Sequence, residues 1–123
     1  LNLSSTQVTT EGIATISAMA KIKELVLDDT EIGDDALNHI KNLAELQILS
    51  LSFTDVTDKG LSKVKEMRNL EKLRLNCTDI GDDGLVFIGK LTNLKELWLR
   101  STQVSYPGLV ELTKWLPNCE III

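Results

Sequence analysis

Apolar and polar positions along this chain recur every 24 residues. Leu1, Leu25, Leu49, Leu73, Leu97 and Ile121 form one column, and Leu3, Leu27, Leu51, Leu75, Leu99 and Ile123 form a second. Thr6, Thr30, Thr54, Thr78 and Thr102 form an unbroken threonine column. Val8, Ile32, Val56, Ile80 and Val104 follow as an apolar one. Gly12, Ala36, Gly60, Gly84 and Gly108 make a column of small residues. Within each repeat the period changes. Leu-x-Leu alternates as a strand with one buried face does, whereas Leu61, Val64, Met67 and Leu85, Ile88, Leu91 fall three apart, as one stripe of a helix does.

Helix-start signals agree with that change of period. Thr9, Thr57 and Ser105 can cap, and Gly33 and Gly81 are weaker caps in the same column. Acids follow in the first turn (Glu11, Asp34, Asp35, Asp58, Asp82, Asp83), and lysines gather at the far end (Lys21, Lys41, Lys65, Lys90, Lys114), matching the helix dipole. Pro107 sits where a missing N–H costs nothing. The predicted unit is strand, turn, helix and return loop. One unit cannot bury its apolar stripe alone, so neighbours stack and share a core. Like strands then lie parallel, and the wider helices force the stack to curve with strands inside.

The pattern Leu-x-x-Leu-x-Leu-x-x-Thr-x-Ile-x-Asp-x-Gly-Leu resembles a leucine-rich repeat over essentially the whole chain. It is similar to the 24-residue bacterial form, and also to repeats of ribonuclease inhibitor and of F-box ubiquitin-ligase arms. The resemblance implies an α/β fold: a right-handed leucine-rich repeat solenoid, with parallel strands on the concave face and helices on the convex face. Many such repeats place Asn or Cys where this chain has threonine. The hydroxyl is expected to bond turn backbone and relay to the next repeat. Residues 1–123 are expected to form a single domain of about five repeats plus a terminal strand at 120–123. Because Leu1 opens inside a repeat, the chain is expected to be a fragment or a processed product. Apolar edges left open would favour end-to-end self-association.

Strand positions between the leucines point to the concave face. They form rows across the repeats: Glu24, Ile48, Lys72, Glu96, Glu120; Asn2, Val26, Ser50, Arg74, Trp98, Ile122; and Ser4, Asp28, Ser52, Asn76, Arg100. A fourth, half-turned row holds Ser5, Asp29, Phe53, Cys77 and Ser101. Trp98 stands out, with Arg74 one strand away and Arg100 two residues on. Trp and Arg dominate interface energetics. The candidate partner-binding residues are Val26, Asp28, Ile48, Ser50, Phe53, Lys72, Arg74, Asn76, Trp98 and Arg100. An ordinary cross-strand pair that stiffens the sheet is the competing reading of Arg74 and Trp98. Val86, Phe87 and Val110 suggest a second, convex contact or packing between helices.

Composition narrows the function classes. Aromatics are only 4% of the chain, so leucine and isoleucine must carry the core. A net charge of −5 argues against general nucleic-acid binding. Residues 1–62 carry −6 and residues 63–123 carry +1, a gradient that could orient a partner. No segment is long and apolar enough to span a membrane. The acidic run Asp28–Asp35 lacks the spacing of a calcium loop and reads as helix-start acids. His39 falls in a polar, outward helix column with no acid or nucleophile paired to it. Cys77 and Cys119 fall in different columns, so a disulfide between them is not expected, and Cys119 is placed outward. No phosphate loop, nucleophile elbow or metal motif occurs. No cofactor, metal or catalysis is therefore expected.

Most relatives that the resemblance implies bind proteins or peptides, and this is the leading expectation. The alternatives are a substrate-reading arm of a ubiquitin-ligase-type or effector protein, and a structural, self-associating repeat. The partner and the compartment stay open.

Overall fold

The Leu-x-Leu signal yields strands of three residues each: β1 (Glu24–Val26), β2 (Ile48–Ser50), β3 (Lys72–Arg74), β4 (Glu96–Trp98) and β5 (Glu120–Ile122). They alternate with α1 (Thr10–Ser17), α2 (Asp34–Ile40), α3 (Asp58–Val64), α4 (Asp82–Ile88) and α5 (Tyr106–Trp115). The computed structural model describes residues 1–19 and 21–123. The five strands form one parallel sheet in chain order, each paired to the next in 24-residue register, so Leu25, Leu49, Leu73, Leu97 and Ile121 stand side by side. A bridge from Asn2 to Val26 adds a rung before β1.

The paired leucines, one inside each of β1–β4 and one just after it, turn to the helices. Leu25, Leu27, Leu49, Leu51, Leu73, Leu75 and Leu97 are fully buried, and so are Leu37, Ile40, Leu61 and Val64 from the helix stripes. Each such side chain contributes about 1.5–3 kcal/mol by leaving water. The fold is the α/β leucine-rich repeat solenoid that the periodicity implies.

The rung at Asn2 and strands β1–β4 end in the same way. Ser5, Asp29, Phe53, Cys77 and Ser101 all adopt φ of 54–57°, the left-handed region. Bulky residues rarely occupy this region, because Cβ approaches the carbonyl oxygen there. The turn that follows is held by the threonine column. Each hydroxyl donates to the carbonyl three residues back, from Thr6 to Leu3, Thr30 to Leu27, Thr54 to Leu51, Thr78 to Leu75 and Thr102 to Leu99, at 2.6–2.8 Å. The expected relay to the next repeat is absent. The side chain is short and satisfied within its own turn.

The links between repeats come instead from the helix-start aspartates. Asp34 accepts from the backbone N–H of Thr57 (2.8 Å) and from its hydroxyl (2.7 Å). Asp58 accepts from the Gly81 N–H at 2.8 Å. Asp82 accepts from both the N–H and the hydroxyl of Ser105. These acids thus clasp the next helix start, beyond complementing their own dipole. The small-residue column is explained by the same contact. A Cβ on Gly60, Gly84 or Gly108 would run into the carboxylate of Asp34, Asp58 or Asp82 respectively. Where the clasp acid is missing, at Thr10, the facing position is Ala36.

Thr9 and Ser105 cap as expected, accepting from the N–H groups of Gly12 and Gly108. Thr57 makes no side-chain cap; its hydroxyl donates to Asp34, as that of Ser105 donates to Asp82. Cys119 is half-buried against the core rather than outward. Burial and the nearby Glu120 and Glu96 carboxylates push its thiol pKa up to about 11.

Candidate strand-face interface

Parallel pairing places six of the ten candidate residues in two continuous rows. Ile48 lies beside Lys72, and Lys72 beside Glu96. Val26, Ser50, Arg74 and Trp98 follow one another across four strands. Arg100 leaves β4 on the same side as Trp98, two residues on. The guanidinium carbons of Arg74 and Arg100 lie 5.8 and 5.6 Å from the Trp98 ring centre, so one indole holds two cations. The Trp98 indole N–H is buried and meets no protein acceptor among the described residues.

Lys72 is neutralised by Glu96 at 3.1 Å across the strand pair. Among the described residues, neither Arg74 nor Arg100 has a carboxylate within bridging distance or a side-chain hydrogen bond. Val26, Ile48, Lys72, Arg74, Asn76 and Trp98 are half-buried, and Arg100 is exposed. Phe53 presents its ring from the left-handed turn position and is 59% exposed.

Ser50 is not available at the surface. It is fully buried, because its small side chain lies between the larger Val26 and Arg74 of the flanking strands, and its hydroxyl donates to Asp28 at 2.6 Å. Asp28 and Asn76 are partly occupied by the frame. Asp28 also accepts from the Ser52 N–H (2.8 Å), and Asn76 accepts from the Arg100 N–H (2.9 Å). Each extends the link between neighbouring rungs past the end of the three-residue strand. The Asn76 bond also fixes the backbone from which Arg100 projects.

The helix wall is less concentrated. Val86 is 48% exposed and Val110 37%, while Phe87 packs against the core under the Lys65 ammonium, 5.8 Å from its ring centre. Trp115 lies over Gly89, where a Cβ would strike its ring. Surface clefts are open and lie on the edges, one lined by Gln7, Glu11, Glu31 and Asp35, another by Lys65, Arg68 and Lys90. No group of His, Cys, Asp and Glu among the described residues is placed to hold a metal ion. No helix among them is long and apolar enough to cross a membrane.

Sequence reasoning missed the aspartate clasp. Its signal was available: Asp34, Asp58 and Asp82 are each followed 26 residues later by glycine, whereas Thr10 is followed by Ala36.

Strand wall, helix wall and 24-residue register define a leucine-rich repeat fold. The leucine-rich repeat family model matches residues 45–65 and 66–89, two consecutive units of this chain. No curated protein matches the sequence. A leucine-rich repeat protein of Leptospira interrogans superposes on all of this chain with a TM-score of 0.74 and 24% identity, and 30% of its own length is covered. An internalin from Listeria monocytogenes matches 98% of this chain at a TM-score of 0.59 and 19% identity, with 39% of its length covered. Actin-binding site 2 of leiomodin-1 matches 96% at a TM-score of 0.69 and 15% identity, with 78% covered. The chain thus spans about a third of the first two structures. At these identities the likeness is one of fold. The narrower likeness to ribonuclease inhibitor and F-box arms rests on the sequence alone.

Proposed function

We propose that this chain is an interaction scaffold that takes a protein or peptide partner on its strand face and performs no chemistry itself. The observation that carries this is the pair of guanidiniums held on one indole over β3 and β4 of that face. Ordered, amphipathic side chains of this kind lose little freedom on binding and make strong anchors. A rigid frame with varied side chains on one wall suits recognition. One structural neighbour is by its name an actin-binding site, which agrees in kind. Capture experiments with the wild type, with the double variant Arg74→Ala/Trp98→Ala and with the helix-wall variant Val86→Ala test this reading. Partners kept by the helix-wall variant and lost by the strand-face variant support it. An unchanged partner list for the strand-face variant removes that face from consideration.

A further inference from the structure

The charges of the strand face are not evenly spread. Arg74 and Arg100 sit over β3 and β4, with no carboxylate partner among the described residues. The other cation of that region, Lys72, is already matched by Glu96. The sign reverses on both flanks, with Glu120 exposed on β5 and two acids at the β1 end. Glu24 and Asp29 are exposed and form no salt bridge among the described residues, and Asp29 accepts only the Ser5 hydroxyl, at 2.8 Å.

Two features make the arginine end an anion receptor rather than a solvated patch. Stacking on Trp98 fixes both guanidiniums, so less rotamer freedom is lost when they grip a carboxylate. Neither guanidinium is already matched by a carboxylate among the described residues, so both remain free to take an anion.

The spacing then describes the ligand. From β1 to β3 and β4 is two to three rungs, about 10–14 Å at about 4.8 Å per rung. An extended chain crosses that distance in about four residues. We propose that the strand face takes an extended peptide segment of mixed charge, its acidic side chains on Arg74 and Arg100 and its basic side chains, about four residues away, on Glu24 and Asp29. This rests on the strand-face scaffold proposed above and names the chemistry of its partner.

Fluorescence anisotropy with three labelled synthetic peptides tests it: Glu-Glu-Gly-Ser-Lys-Lys, the same peptide with serine replacing both lysines, and an all-serine-and-glycine control. The mixed peptide is expected to bind about tenfold more tightly than the neutral control at low salt, with the acidic peptide between them. Arg74→Gln/Arg100→Gln should bring the mixed peptide to the level of the neutral one. Asp29→Asn, with an asparagine that suits the left-handed turn, combined with Glu24→Gln, should bring it only to the level of the acidic one. Arg→Lys at both positions should recover part of the binding, since charge is kept and stacking is lost. Circular dichroism confirms that each variant is folded. If mixed and neutral peptides bind alike and both are lost on Trp98→Ala, the charge reading is overturned while the scaffold reading stands. Indifference of the mixed peptide to the double arginine variant overturns it as well. So does failure of every peptide to bind at about 1 mM, in which case the capture experiment still decides the scaffold independently.

Discussion

Replacing Gly84 by alanine pits two effects against each other. Gly84 lies inside α4, where helix propensity alone favours alanine by about 1 kcal/mol. Packing opposes it. The new Cβ would meet the Asp58 carboxylate and, at 2.9 Å, Cδ1 of Leu61. Displacing the carboxylate breaks its bond to the Gly81 N–H, a charge-assisted contact worth about 1.5–3 kcal/mol. Crowding Leu61, which is fully buried, adds about 1–3 kcal/mol of overpacking. Steric loss therefore exceeds propensity gain, and Gly84→Ala should destabilise by about 2–4 kcal/mol. Urea denaturation followed by circular dichroism measures this, with Asp58→Ala and the double variant completing a cycle. The two substitutions should couple by at least about 1 kcal/mol, because the double variant lacks the carboxylate that the methyl displaces. Position 36 is a built-in control. Thr10 stands in the clasp column for Ala36, so Ala36→Gly should lose about 1 kcal/mol of propensity and about 1 kcal/mol more from the buried methyl. A Gly84→Ala variant more stable than the wild type, or a cycle with no coupling, would refute the clasp as the reason for the glycine column.

Hydrogen bonds from the Ser105 hydroxyl and N–H hold the Asp82 carboxyl below its ordinary value of 3.8. A depressed folded-state value means the stabilisation is present above pH 3.8 and is lost as pH falls through the lower folded value; Ser105→Ala should flatten this acid limb in urea titrations between about pH 5 and pH 2. Phe53, at φ 57° and 59% exposed, should give about 1 kcal/mol when replaced by asparagine, read as a higher denaturation midpoint, while strand-face binding weakens if the ring contacts the partner. An unchanged midpoint would mean the turn carries no strain. Cys119, with its thiol at about 11, should react with a maleimide at pH 8 at least tenfold more slowly in the folded protein than in guanidinium, and faster as pH rises toward 11.

Much of the architecture could be read directly because each repeat votes on the same columns. The strand pair Leu73 and Leu75, the helix stripe Leu85, Ile88 and Leu91, and the register of Arg74 beside Trp98 all follow from a 24-residue period and a change of local period. The caps at Thr9 and Ser105 were legible from residue type, yet Thr57 has the same chemistry and makes no cap bond. Ser50 was assigned to the surface by strand alternation, which tells which side of the sheet a residue faces but not how far its neighbours reach over it. Cys119 was misplaced because the column rule weakens where the last repeat departs from its pattern at Trp115–Asn118.

The sequence by itself determined the unit, its period and the side of the sheet on which each residue lies. These depend on local backbone geometry and on which atoms must leave water, and both are written in spacing. Only the tertiary structure decided what crosses between units: the aspartate reaching the next helix start, the glycine that leaves room for it, the threonine satisfied within its own turn, and two arginines meeting on one indole. Those contacts join residues about 24 apart through distances of a few ångströms, and a shift of one ångström makes or breaks them. Periodicity fixes neighbours, but the closeness of their approach is set by how every rung packs on the next.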